Sequence, residues 1–144
     1  RWKQLIRAIT GAQASLHQPD AVIIHLGGND LAALGRKRLA DMMRRDLATA
    51  AARLRPAEIL WSELIPRFKW RGAEVHAAVE NSWRKLNINM RKACCSMGWG
   101  FVRDGLITLK SPGYYKKDGV HLTGVGMALF MLDLYGALES IGCT

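Results

Sequence analysis

The segment KKDGVHLTGVG, residues 116–126, carries an aspartate and a histidine that are three positions apart. The Asp118 carboxylate can reach the Nδ1 atom of His121 across one turn, which would fix the tautomer and leave Nε2 free as a general base. Asp-Gly is also a common turn sequence, so this pair alone is a weak sign of catalysis. It gains weight only if a second group at the same site could stabilise a developing negative charge.

The segment HLGGNDL, residues 25–31, offers such a group. Gly27 and Gly28 allow a tight exit from a strand and let a ligand approach the backbone. Asn29 then presents a neutral amide donor, which suits an oxyanion that forms only during a reaction. The alternative interpretation is a plain Gly-Gly turn in which Asn29 caps a helix.

Hydrophobic periodicity predicts helices and strands in alternation. The run at 21–26 has no polar alternation, which is typical of a parallel strand covered on both faces. Thr123 is expected to cap the last helix. Apolar residues occupy most of the circumference of this helix, so it should be largely buried. This order predicts βαβ units in one domain, residues 1–144. The C-terminal ends of the strands should then lie at one edge of the sheet, where open α/β sheets bind ligands. The predicted helices are 2–17, 36–55, 73–97 and 124–140, and the predicted strands are 21–26, 58–64 and 99–105.

Together, the Gly-x-Asn-Asp that ends a strand and the later Asp-x-x-His before the closing helix resemble the SGNH (GDSL-like) hydrolase superfamily. With the order of the elements, the resemblance covers essentially the whole chain. It implies a flavodoxin-like, three-layer α/β/α fold with a parallel sheet, and hydrolysis of ester bonds through a Ser-His-Asp mechanism. In that scheme His121 is the base, Asp118 orients it and Asn29 donates to the oxyanion. The matching or supporting residues are Gly27, Gly28, Asn29, Asp30, Asp118 and His121.

The sequence departs from this family because it contains no Gly-Asp-Ser, the motif of the family's nucleophile. That strand is expected to precede Arg1, so the three visible strands correspond to strands 3, 4 and 5 of the family's 2-1-3-4-5 sheet. Strand 21–26 would then be an open edge, and we expect an inactive piece of a larger protein or a marginally stable chain. Ser15 lies in a helical pattern, which is no place for a nucleophile. Ser62 is a candidate at the rim of the site, more typical of packing or of a hydrogen bond beside it.

The chain is strongly basic, with 21 Lys and Arg against 12 Asp and Glu and a net charge of +9. Such a charge favours anionic partners, so nucleic acid is a possible partner beside a small ester substrate. The segment RFKWR, residues 67–71, interleaves aromatic and basic residues as single-strand binders do, with Trp70 expected to be exposed. The alternative function is therefore a catalytically dead binding module that contacts nucleic acid or a protein. The segments ILWSELIPR, residues 59–67, and KKDGVHLTGVGMALF, residues 116–130, also resemble SGNH-like modules in polyproteins of vertebrate mobile elements.

Other classes of function find little support in the sequence. The three cysteines have no CxxC spacing, and no His, Cys or carboxylate cluster has metal-ligand spacing, so we predict no metal, cofactor or disulfide framework. His25 is expected to be a core histidine, while His17 and His76 should lie at the surface. No apolar run is long enough to span a membrane, and no secretory signal is present, so we expect an intracellular, cytoplasmic protein.

Overall fold

The structure, a computed structural model, describes residues 1–13 and 17–142. A short 3₁₀ turn, Trp2–Gln4, leads into the first helix, and a second, Pro112–Tyr114, precedes the last. The helices are α1 (Leu5–Gln13), α2 (Leu31–Leu34), α3 (Arg36–Arg53), α4 (His76–Met97) and α5 (Gly124–Ser140), and the strands are β1 (Ala21–Ile24), β2 (Glu58–Ser62) and β3 (Gly100–Val102). Each long predicted element is present, whereas α2 was not predicted. Ser15 lies outside the described residues.

The three strands form one parallel sheet in the order β1-β2-β3. Ile23 pairs with Leu60 across the first interface, and Leu60 pairs with Gly100 across the second. Parallel pairing through helical crossovers places all three C-terminal strand ends on the same edge, as predicted. Within the described residues β1 is a sheet edge, which agrees with the open edge expected from the sequence.

The two faces of the sheet are covered unequally. One face packs against α1, α3 and α4 in a large core that contains Ile24, Ile59 and Trp61. The other face meets α5, through a smaller cluster that includes Ile107 and Phe130. Helices on both faces make the three layers of an α/β/α fold, so the predicted fold class is confirmed.

Helix α5 is much more exposed than its sequence predicted. Thr123 caps it as expected, since its hydroxyl accepts a hydrogen bond from the Gly126 N–H at 3.2 Å. Of its 17 residues, however, Gly126 and Phe130 are the buried ones. The prediction of a largely buried helix is wrong, because α5 covers its face of the sheet without a further described element on its outer side. The exposed apolar side chains are Val125, Met127, Met131, Leu132 and Tyr135.

Within the described part of the chain, no helix combines the length and the apolar character needed to cross a lipid bilayer.

Cys94 is buried and Cys95 exposed, and both are free thiols.

Candidate active site

Asp118 and His121 form the pair that their spacing predicted. The Asp118 Oδ2 atom lies 2.5 Å from His121 Nδ1, while Oδ1 accepts hydrogen bonds from the N–H groups of Val120 and His121 at 2.9 and 3.0 Å. The bond to the imidazole, followed by the two backbone bonds, holds the pKa of Asp118 well below its usual range. Because an ionised carboxylate can only accept, it selects the tautomer of a neutral imidazole in which Nδ1 carries the proton and Nε2 has the lone pair. The His121 side chain is 60% exposed, so that lone pair is open to a reactant.

Asn29 lies in the turn that follows β1. The turn is closed by hydrogen bonds from the N–H groups of Asp30 and Leu31 to the Gly27 carbonyl, at 2.9 and 3.2 Å. Gly27 has a φ of +110°, a backbone conformation that favours glycine, and a Cβ there would lie 2.4 Å from Met43 Cε and would displace that methyl group. Asn29 itself is exposed at the tip of the turn.

Asp30 anchors this turn to the N-terminal segment. Its buried carboxylate accepts a hydrogen bond from the Trp2 N–H at 2.8 Å and lies 3.8 Å from Arg1 Nη1. Trp2 is fully buried, and its indole N–H donates to Asp46 at 3.0 Å. Asp30 therefore supports the position of Asn29 and does not face a reactant.

One irregular segment contacts both motifs. We call it the 66–71 loop, and it connects β2 to the region before α4. Arg67 Nη1 donates to Asn29 Oδ1 at 2.8 Å, while Arg71 Nη2 lies 3.7 Å from Asp118 Oδ2. The turn that carries Asn29 and the turn that carries Asp118 therefore both contact the 66–71 loop, although the two turns are far apart in the sequence.

The same loop is tied to the second motif through its backbone. The Lys69 N–H donates to the Gly119 carbonyl at 3.1 Å. Gly119 has a φ of +68°, and a Cβ there would lie 3.0 Å from Phe68 Cβ. The Trp70 side chain is only 4% exposed, which corrects the expectation that it would be available at the surface. The backbone N–H of Trp70 donates to Nε2 of the exposed His76 at 2.8 Å.

Ser62 is not an accessible rim residue, which corrects that option, but it makes hydrogen bonds beside the site, the role that the sequence favoured. It is 0% exposed, and its hydroxyl lies 2.8 Å from His25 Nδ1 and 3.2 Å from Asp104 Oδ2. A hydroxyl enclosed in this way cannot reach an ester, so Ser62 has the alternative role, a hydrogen bond beside the site. His25 also packs edge-on against Phe130, with ring centroids 4.7 Å apart.

The chain His25–Ser62–Asp104 was missed at the sequence level. Burial, followed by the nearby Arg67 charge, lowers the pKa of His25 to about 4. Burial also raises the pKa of Asp104 to about 8, against the opposing effect of its bond to Ser62. The Ser62 hydroxyl donates to Asp104 Oδ2 and can accept a hydrogen bond from Nδ1–H of the neutral His25 imidazole. The signal that could have found this chain is that all three residues end or follow adjacent parallel strands.

No grouping of His, Cys and carboxylate side chains suitable for a metal ion occurs among residues 1–13 and 17–142.

Comparison with known proteins gives structural matches alone. No protein-family model and no curated protein sequence matches the chain. A GDSL-like lipase from Bacteroides thetaiotaomicron superposes with a TM-score of 0.78 at 19% identity, over 97% of this chain and 71% of the lipase. A protein named as an acylhydrolase from Bacteroides fragilis gives 0.79 at 20% identity, over 97% and 70%. One named as a platelet activating factor from Streptococcus gives 0.71 at 19%, over 96% and 69%. The chain therefore has the α/β fold of the GDSL-like lipases and acylhydrolases.

Proposed function

We propose that this chain forms the acid–base and oxyanion part of an SGNH-type serine esterase site that acts on small esters. His121 is the general base, Asp118 orients it, and Asn29 donates a hydrogen bond to the oxyanion. The observation that carries the proposal is the 2.5 Å contact between Asp118 Oδ2 and His121 Nδ1, which leaves Nε2 as a free acceptor. The fold shared with GDSL-like lipases supports it.

The attacking hydroxyl in this proposal comes from a segment other than the 144 residues. No Gly-Asp-Ser occurs in the sequence, and Ser62 is enclosed. The hydroxyl oxygen would attack the ester carbonyl while His121 Nε2 takes its proton, and the carbonyl electrons would move onto the oxygen that faces Asn29. When that intermediate collapses, His121 returns the proton to the leaving alcohol. Water then repeats the sequence on the acyl-enzyme. Without the serine, we expect this chain alone to be almost inactive.

The test is hydrolysis of short p-nitrophenyl esters by the 144-residue chain and, where the reading frame continues upstream, by the longer product. We expect His121→Ala and Asn29→Ala each to lower kcat by about 10²–10³-fold or more in the active form. His17→Ala removes an exposed histidine away from the site and should leave turnover unchanged. Full activity of His121→Ala would show that the base is misassigned.

A second candidate is a binding module without catalysis, which the net charge of +9 favours. Exposed cations surround the two turns, among them Arg1, Arg71 and Lys116. The burial of Trp70 removes one of the two aromatic side chains proposed to stack on bases, while Phe68 remains 39% exposed. This candidate predicts binding to single-stranded nucleic acid that weakens steeply with salt. Ester hydrolysis that depends on His121, with no such binding, would eliminate it.

A further inference from the structure

We propose that Arg67 is a positioning residue that fixes the direction of the Asn29 side-chain amide, so that its N–H₂ group is held ready for an oxyanion. The role toward an oxyanion rests on the proposed function. The ordering of the Asn29 amide by Arg67 can be tested without measuring turnover. Its basis is the hydrogen bond of 2.8 Å from Arg67 Nη1 to Asn29 Oδ1.

This contact determines which atom of the Asn29 amide is the oxygen and which is the nitrogen. The oxygen and nitrogen of an asparagine side chain are nearly indistinguishable by shape, and their assignment follows from hydrogen-bond partners. A guanidinium group has donors and no acceptor, so the amide atom it meets must be the oxygen. Among the described residues, no group accepts a hydrogen bond from Asn29 Nδ2. Arg67 therefore occupies the acceptor of the amide and leaves its donor free for a ligand.

Arg67 is itself held in place by its surroundings. Its Cζ lies 5.5 Å from the centroid of the buried Trp70 ring, a cation–π arrangement. Its guanidinium also packs against the backbone at Gly28, where an added Cβ would lie 2.4 Å from Nη2 and 3.0 Å from Cζ. The glycine at position 28 thus has a specific function, which is to leave room for the guanidinium beside the Asn29 turn.

The guanidinium is also partly removed from solvent. Arg67 is partly buried, and burial is the largest cause of a lowered pKa for this group, while Tyr115 and Asp118 act in the opposite direction. Its Nε is buried without a hydrogen-bond partner among the described residues. Because the side chain is already packed against Trp70 and Gly28, it gives up little further entropy when it holds Asn29, so it can order an otherwise exposed amide.

The experiment is NMR on the ¹⁵N-labelled 144-residue chain, with the Asn29 side-chain signals assigned through Asn29→Asp. In the wild type we expect a heteronuclear NOE for the Asn29 N–H₂ group close to backbone values, in contrast to the exposed Asn81. Arg67→Met should reduce it to the Asn81 level. Gly28→Ala should do the same without removing a charge, because the new methyl group displaces the guanidinium. Arg71→Met, which removes a cation of the same loop that contacts Asp118, should leave it unchanged.

Each result bears on the proposal. An Asn29 amide as mobile as that of Asn81 in the wild type overturns it without any variant. An unchanged NOE in Arg67→Met or Gly28→Ala, with the backbone spectrum retained, also overturns it. If the amide is ordered through Arg67 but no form hydrolyses esters, the proposed function fails and the positioning role stands. In an active form, Arg67→Met should lower kcat up to about 10²–10³-fold, as loss of an oxyanion donor does, with little change in KM.

Discussion

Asp104→Asn should make the protein more stable at pH 8 than the wild type, although it removes a carboxyl group. The pKa of Asp104 is raised from 3.8 to about 8, chiefly by burial. Between these values the folded state binds a proton that the unfolded state has released. Stability from this group is therefore fully present below pH 3.8 and is lost as the pH rises through about 8. Asparagine is neutral throughout, and its Oδ1 can accept the hydrogen bond that the Ser62 hydroxyl donates to Asp104.

The size of the effect follows from the shift. Each pH unit within the window changes the free energy of unfolding by about 1.4 kcal/mol, which gives an upper limit of about 4 kcal/mol between pH 5 and pH 8. Asp104 retains some contact with solvent, so we expect a relative gain for the variant of about 2–4 kcal/mol over this range. His25 acts with the opposite sign, because its pKa is lowered to about 4, so stability from His25 is lost as the pH falls below 6.5. That contribution is common to both proteins and cancels in their difference.

The assay is urea unfolding of the wild type and Asp104→Asn at pH 5, 6, 7 and 8, with the difference in unfolding free energy plotted against pH. Asp41→Asn is the matched control, since it removes one carboxylate from an exposed helix position where it pairs with Arg44. The difference should rise with pH for Asp104→Asn and stay flat for Asp41→Asn. A flat difference for Asp104→Asn would refute the reasoning, because it would mean that Asp104 is already ionised in the folded protein at pH 5.

Three further outcomes are expected. Asp30→Ala should lower the unfolding free energy by about 1–3 kcal/mol in urea titrations, because it leaves the buried N–H of Trp2 without its acceptor; a loss below 0.5 kcal/mol, on the order of a neutral surface change, would show that the contact is dispensable. Thr123→Ala should cost about 1 kcal/mol by the same measurement, since the cap to the Gly126 N–H is lost, whereas Thr123→Ser should retain most of it. We expect the exposed apolar face of α5 to promote self-association, so Leu132→Glu, at a residue 58% exposed, should reduce concentration-dependent association in light scattering without lowering stability. Equal scattering by both proteins at every concentration would show that Leu132 is not part of an association surface.

The agreement between sequence and structure is closest where the partners are near one another in the chain. Asp118 and His121 are three residues apart in a turn, so their hydrogen bond depends on local geometry that the spacing already implies. The cap formed by Thr123 is local in the same way. The order of strands and helices was also predictable, because hydrophobic periodicity records which faces must be buried.

Sequence and structure agree less well where the burial of a residue depends on which other elements pack against its own. The apolar residues of α5 predicted a covered helix, yet Met131 and Leu132 are exposed. Trp70, in a segment rich in charge, was expected at the surface and is buried under Arg67. The chemical type of a side chain gives its preference for burial, but the neighbouring elements decide whether anything packs over it.

By itself, the sequence determined the parallel α/β order, the glycine turn that carries Asn29, and the pairing of His121 with its carboxylate. Only the tertiary structure showed that Arg67 lies on the Asn29 amide, 38 residues away, and that Ser62 is enclosed between His25 and Asp104. The physical reason is the range of the interactions. A hydrogen bond across one turn is specified by spacing, whereas contacts between strand ends and loops depend on strand register and on the path of the chain between them.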